Sequence, residues 1–594
     1  MNPAVTASIR QHHPAGHAGR APLARAAHVL SWAILLGGAA TVAVAVYLVV
    51  LGHSRLPFWD AWMQIDFAAN EGPAHTFDWL WRQFNQHRVL IPKLFLLADL
   101  RWFHATQTFL LIVNLLIQFL HLSLLAWSMR VFGGWRGALW RTGTGLAAFC
   151  LFCPSQWPNL LMGFTGLCCY LPPLFGTVSF IGLLLYRQKS RDPVASRGAW
   201  KYLVLCIAAA MCATFSLSNG NLLWPLLIGA AVLLRVGFAA SVTLASAAVI
   251  GIAAFFYNYT VYIRASSLVD SRETLLALLK YIAVYFGSSW VQSNIRVAEM
   301  LGVAGFILFL FVLWQVPSWF RTSPALCTQL LLTLLFALGT GIVTAPGRFV
   351  FGIDQAFSGR YQSFALLFWG CMALILLGRL ATVEGQTAAM VGMEVLLLAV
   401  LLLAATKAEA PLGKARWQAF NLRAAAFALM TDVPDTAQLL WADSHPEYPR
   451  SLVPYMRKER LSVFSQPEAN LLGEQLTSVF AVTSANDCSG KVESSTAITT
   501  GWPRSLRITG WAWDPTVHRP PSEIVIAGDG VIAGFGAVGD WRPESSHAGR
   551  PVSSNFTGFT GYVRDVSRAT VVEIYAVHRG RSRSACPIAT LRPE

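Results

Sequence analysis

Between Ala27 and about Gly378, and again near 388 to 405, the chain returns repeatedly to apolar runs of about 18 or more residues. As a helix, such a run crosses the roughly 30 Å of hydrocarbon in a bilayer, where a lipid-exposed chain satisfies its backbone groups only as a helix or a closed barrel. Composition agrees, because 55% of the 594 residues are hydrophobic and only 13% are charged, far too apolar for a soluble chain of this length. The pattern predicts an α-helical polytopic membrane protein with about eleven spans: 27–51, 107–129, 137–153, 166–186, 200–217, 221–238, 239–257, 299–317, 325–344, 362–379 and 386–405. The first run is longer than a secretory h-region and "VAVAVYLVVLG" has no small-residue cleavage site, so it reads as an uncleaved span.

The net charge of +15 does not point to nucleic acid. Its basic residues are scattered through short loops rather than gathered on one periodic face. With residues 1–26 as a cytoplasmic tail, Arg130, Arg136, Arg141, Arg187, Lys189, Arg191, Arg197, Lys201, Arg235, Arg321 and Arg379 all fall in or beside cytoplasmic loops. This agrees with the positive-inside rule. The membrane domain then occupies 27–405, and the outer face receives about 52–106, 154–165, 258–298 and 345–361 together with everything after about 406. The apolar stretch 274–290 reads as an interfacial helix or a half-crossing.

Beyond the last span, 406–488 reads as a helical linker and 489–594 as short alternating strands between Gly, Pro and Asp breakers. We expect an extracytoplasmic β-sandwich there. Eight of the ten cysteines lie in or beside apolar helices and read as small buried side chains. Cys488 and Cys586 bracket the β region, and outside the cytoplasm they would pair as a disulfide.

The first outer segment contains "LPFWDAW", with Asp60 between Trp59 and Trp62. These tryptophans, like Trp79 and Trp81, read first as anchors at a water–lipid boundary. Apolar surroundings raise the proton affinity of a carboxylate, which suits Asp60 to general-base work or to metal ligation. "NQHRVLIPKL" adds His87, Arg88 and Lys93, suited to lipid phosphates in general or to one bound phosphate. "APGRFVFGIDQAFSGRYQSF" adds Arg348, Asp354, Arg360 and Tyr361, where either a pairing of Arg360 with Asp354 or an anionic ligand would offset the desolvation of the cations. "CPSQWPNLLMGF" and "FSLSNGNLLWP" set polar side chains between apolar runs. They either satisfy freed backbone groups or line a pocket for hydroxyl-rich ligands.

Five of these stretches together resemble bacterial polytopic membrane proteins of the GT-C glycosyltransferase type. That family carries "FWDEW", "QHNEHRI..PKL", "PSQWENLLWGFQ", a "FSMANGLLLWP"-like turn and "GFGLEQALSSRY". The chain reads "FWDAW", "QFNQHRVLIPKL", "PSQWPNLLMGF", "FSLSNGNLLWP" and "FGIDQAFSGRY", in the same order from about 58 to 370. The resemblance implies transfer of a sugar from a polyprenyl-phosphate donor to a lipid or glycan acceptor at the outer face of a bacterial inner membrane. It casts Asp60 as base or metal ligand, and His87, Arg88, Lys93, Arg348 and Arg360 as phosphate contacts, with Asp354 as a second acid and Tyr361 beside them. No cofactor is indicated beyond a divalent metal compatible with Asp60. Ala61, Pro158 and Thr165 depart from the family pattern, removing two acids and a Gln. The C-terminal "GWAWDP" resembles an accessory β domain, with Trp511 and Trp513 as sugar-stacking candidates. Two other classes fit parts of the pattern. A lipid-linked-glycan transporter needs polar residues through the bilayer, and an envelope scaffold needs no deep outer cavity.

Overall fold

The computed structural model describes residues 20–192, 198–261, 272–383, 386–484, 487–499, 505–543, 554–564, 571–579 and 583–592. Arg10, Arg197 and most of the expected tail 1–26 lie outside the described residues. The chain is mostly helical, and among the described residues eight helices are long and apolar enough to cross a membrane. They are Pro22–Gly52, Thr108–Val131, Gly163–Lys189, Phe238–Phe256, Ile295–Thr322, Pro324–Phe351, Gly359–Ala381 and Thr387–Met430. Every expected span coincides with a helix. Three of those helices, Gly137–Phe152, Trp200–Thr214 and Leu223–Leu234, have only 16, 15 and 12 residues, so at 1.5 Å per residue they rise at most about 24 Å. The last long helix divides into Thr387–Thr406 and Glu409–Met430. Outward apolar side chains such as Val50, Ile307, Leu310 and Trp314 are exposed by 65% or more, a surface suited to membrane lipid.

Small residues and polar side chains close the helix contacts. A Cβ on Gly38 would stand 2.5 Å from the Gly145 carbonyl oxygen, so the first helix crosses Gly137–Phe152 at a distance only glycine permits. Asn114 donates to the Gly163 carbonyl at 2.9 Å, Gln118 to Leu151 at 2.6 Å, and Thr142 to Glu394 at 2.7 Å, while His121 meets Thr177 at 2.9 Å. Each of these buried side chains thus makes one hydrogen bond to a neighbouring helix. The helix Arg272–Gly287 buries Tyr281 to Phe286 against Ile295–Thr322 and Pro324–Arg348, and so belongs to the body of the bundle rather than its surface.

The segment between the first two long spans forms short helices, Met63–Asn70, Thr76–Trp81 and Leu90–Phe103. Trp62 and Trp79 are only 0% and 4% exposed. They are core residues of this cap and not boundary anchors: Trp79 stacks on Phe67 with centroids 4.6 Å apart. Asp99 is fully buried here, with one oxygen accepting from Gln64 at 3.3 Å and the Gln107 backbone N–H at 3.4 Å. Burial raises its carboxyl from 3.8 to about 7 against those two hydrogen bonds. A carboxyl raised in the folded state leaves stability highest below its unfolded pKa, and that stability is lost as pH rises toward about 7. The full penalty is on the order of 4 kcal/mol. Asp99→Asn is expected to flatten the melting temperature between pH 5 and 8 and to exceed the wild type most at pH 8; parallel curves would show that Asp99 does not titrate there.

After Glu409–Met430 the described residues form eight strands: β1 Ala481–Val482, β2 Ser489–Thr499, β3 Ser505–Trp513, β4 Glu523–Gly528, β5 Val531–Asp540, β6 Gly558–Arg564, β7 Val572–Arg579 and β8 Arg583–Leu591. They form one sheet in the order β1-β8-β7-β4-β5-β6-β3-β2, antiparallel except for β1 with β8. This is a single curled sheet where two stacked layers were expected. Alternation explains its burial on both faces. Val525, Ala527 and Phe535 join the cluster around the helix Glu409–Met430, whereas Ile524, Ile526 and Ile574 pack inside the curl. Phe427 of that helix stacks on Phe535 at 5.7 Å. Asp435 then locks helix to sheet, accepting from Arg507 at 3.0 Å and from the Tyr562 hydroxyl at 2.9 Å. A Cys488–Cys586 disulfide ties the start of β2 to β8 across the mouth of the curl.

Candidate functional site

A cavity of about 240 Å³ opens where the cap meets the helical bundle, and five of the residues singled out above share its wall: Asp60, His87, Arg348, Arg360 and Tyr361. Residues more than two hundred positions apart thus meet at one place, delivered by four separate local structures.

Asp60 sits on the 3-10 turn Trp59–Trp62, packed against the helix Gly163–Lys189. Its carboxyl is half-buried, and burial raises its pKa above the usual carboxylate range; Arg360 and Arg348 oppose the shift and Asp443 adds to it. His87 closes a tight reversal in which Phe84 and His87 exchange backbone hydrogen bonds of 2.8 and 2.9 Å. Its Nδ1 lies 2.7 Å from the Ser218 hydroxyl. Burial first, then Arg348 and Arg360, push the imidazole down to about 4, so His87 is neutral at physiological pH and offers one ring nitrogen to the cavity.

Ser218 and Asn219 come from the polar turn "SNGNL", which Gly220 allows to lie against the preceding helix. Any Cβ there would strike the Ala213 carbonyl. The Asn219 amide donates to Thr340 at 3.2 Å. Thr340, Thr344 and Arg348 follow one another at four-residue spacing on one helix face, and all three line the cavity. Arg360 stands on the turn Gly359–Tyr361, whose backbone is gripped by "PSQWPN": Asn159 donates to the Arg360 carbonyl at 3.4 Å and to Ser363 at 2.8 Å. That stretch therefore supports the wall rather than forming it. Tyr361 is held by stacking on Tyr285 at 5.0 Å.

Among the described residues, neither guanidinium on the wall has a carboxylate within 4.0 Å or a hydrogen bond to protein, and of the two alternatives for Arg360 the pairing with Asp354 does not form. Two free cations face one carboxylate. The local balance favours an anionic ligand.

Other expected contacts lie elsewhere. Arg88 is 3% exposed and spends its guanidinium on the carbonyls of Phe255 and Trp81, both at 2.6 Å, and of Tyr257. Lys93, 2% exposed, donates to the carbonyls of Trp79 at 2.6 Å and Arg82 at 2.8 Å. These two cations staple the cap and do not reach the cavity. Asp354 is exposed and borders a separate depression with Asn294 and Arg296. Trp511 and Trp513 are 3% and 2% exposed within the sheet, so no sugar ring can stack on either. Cys168, Cys169, Tyr285, Thr340 and Thr344 line the cavity without having been singled out, and Thr165, noted above as a departure from the family pattern, joins them. For the threonines, the four-residue spacing ahead of Arg348 is the signal that identifies them.

Among the described residues Asp60 is the only carboxylate on the wall, and no three His, Cys, Asp or Glu side chains gather as metal ligands. This donor set does not fit a resident divalent metal. No family model, curated protein or solved structure matches the chain.

Proposed function

We propose that the chain is a membrane glycosyltransferase of the GT-C type, transferring a sugar from a polyprenyl-phosphate donor to an envelope glycan or lipid at the outer face of the inner membrane. The observation that carries this reading is the convergence of one carboxylate, one neutral imidazole and two unpaired guanidiniums on a single cavity. The amino terminus is then cytoplasmic and the β domain periplasmic, following the distribution of basic loops.

In this scheme an acceptor hydroxyl attacks the anomeric carbon of the donor and gives its proton to Asp60. The bond from that carbon to the phosphate oxygen breaks, and polyprenyl phosphate leaves with the electron pair. Phosphate is a good leaving group, so no second carboxylic acid is required. Arg348 and Arg360 steady the negative charge that develops, and His87 contributes a neutral donor. The cavity is smaller than the roughly 300–1,000 Å³ of drug-sized pockets, which suits a reacting head group with its lipid chain outside.

The transport reading finds less support. Four polar side chains deep in the bundle, Asn114, Gln118, His121 and Glu394, bond to neighbouring helices and do not line the cavity. The test is transfer of a labelled sugar from a short-chain polyprenyl-phosphate donor by the purified protein. Arg360→Gln is expected to weaken donor use by about tenfold to a hundredfold in kcat/KM, consistent with about 1.5–3 kcal/mol for a hydrogen bond to a charged group. Absence of transfer with every polyprenyl-phosphate sugar tried, by protein that remains folded, would count against the assignment.

A further inference from the structure

The loop that carries Asp60 is held from a distant part of the chain. Ala442 follows Asp60 by more than 380 positions and lies beyond the last apolar helix. Its carbonyl nevertheless accepts the Trp59 backbone N–H at 2.9 Å and the Trp62 indole N–H at 3.2 Å. These donors bracket Asp60 on both sides. The turn bearing Ala442 is itself firm, because Ala442 and Asp443 both donate their backbone N–H groups to the Leu439 carbonyl, at 2.9 and 3.2 Å. Asp60 and Asp443 are each the next residue after a bonded partner, so the two carboxylates share one frame.

Asp443 is largely buried, and the His445 Nδ1 lies 3.6 Å from its Oδ1. Its side chain is 15% exposed, against 85% for the neighbouring His445. Its Oδ1 accepts the His445 backbone N–H at 2.8 Å, and no hydrogen bond to Oδ2 is found among the described residues.

We propose that the turn 442–445 is a working part of the site, with Ala442 fixing the Asp60 loop and Asp443 serving as a positioning residue, the second carboxylate drawn from beyond the last apolar helix. The proposal deepens the transferase reading and rests on it for its catalytic meaning. The charged and titratable groups around Asp60 are Arg348, Arg360, His87, Tyr361 and Tyr285 of the shared wall, Cys168 and Cys169 from the helix Gly163–Lys189, and Asp443, which has His445 beside it. Burial raises the proton affinity of Asp60 and the two cations oppose it. A carboxylate on the neighbouring turn adds to the rise without touching the acceptor.

The experiment needs no sugar donor, so its outcome is separate from that of the transfer assay. Purified full-length protein is amidated with carbodiimide and glycine ethyl ester, which consume the protonated carboxyl, over a pH series, and Asp60 occupancy is read by mass spectrometry. Asp443→Asn is expected to move the Asp60 midpoint to lower pH, and Asp443→Glu to leave it near the wild-type position. Asp66→Asn, on the same loop but not facing Asp60, is expected to leave it unmoved. An unchanged midpoint in folded Asp443→Asn overturns the proposal, as does an equal shift in Asp66→Asn. Should the Asn variant not fold, Asp443→Ser removes the same charge and is judged by the same criterion.

Discussion

Asp60→Asn is expected to lower sugar transfer by about 10²- to 10⁴-fold, the range that a positioned general base supplies. The amide matches the carboxylate in shape but cannot take up the acceptor's proton. Arg348, Arg360 and His87 remain in place, so donor binding is retained and the loss falls on kcat rather than KM. The wild-type pH profile carries the same information. A base works in its ionised form, and burial holds the Asp60 carboxyl above the ordinary carboxylate range. Transfer is therefore expected to fall on acidification at a pH above that range, and the acid limb is expected to be missing from the residual activity of Asp60→Asn. Near wild-type turnover in the Asn variant would remove Asp60 from the mechanism while leaving the cavity open to another use.

The second large effect is on folding. Arg88→Gln is expected to destabilise the protein by at least about 3 kcal/mol, since hydrogen bonds to a charged group contribute about 1.5–3 kcal/mol each and orphaned buried carbonyls add their desolvation cost. Arg88 joins Trp81, at the end of a cap helix, to Phe255 and Tyr257, where the helix Phe238–Phe256 ends. Glutamine offers two donors on a shorter arm and cannot reach all three. Its guanidinium also lies 5.1 Å from the Trp81 ring centre, a contact that is lost as well. The check is the melting temperature in detergent together with the yield of monodisperse protein. A phosphate-binding Arg88 would instead leave melting unchanged and raise the KM for donor, so the two roles are separable in one variant.

The helices were legible because a bilayer imposes a length and a polarity on every crossing, and both are written in the local sequence. Span number was less so, since an apolar run such as Leu223–Leu234 looks the same whether it crosses or stops partway. In the site, Asp60, His87, Arg348 and Arg360 stood out because ionisable groups are costly next to apolar runs and need a reason to be there. That logic does not identify the partner. Lys93 and Arg348 look alike in sequence, yet one binds main-chain carbonyls and the other faces a cavity. Trp511 and Trp513 misled for a related reason: strand alternation marks one face as apolar but does not say that helix and curl together cover both faces. Asp443 carried no local signal, because its place depends on a helix that folds back onto the first loop.

The Ala442 carbonyl also sets an order of events during biosynthesis. Trp59 leaves the ribosome more than 380 residues before its hydrogen-bond acceptor exists, a delay of roughly 20 to 75 s at 5–20 residues per second. Throughout that time the bundle is being threaded into lipid while the Trp59 and Trp62 donors that flank the acid have no acceptor. Competence therefore arrives late and at once, and a nascent chain arrested before residue 442 is a membrane protein without a finished site.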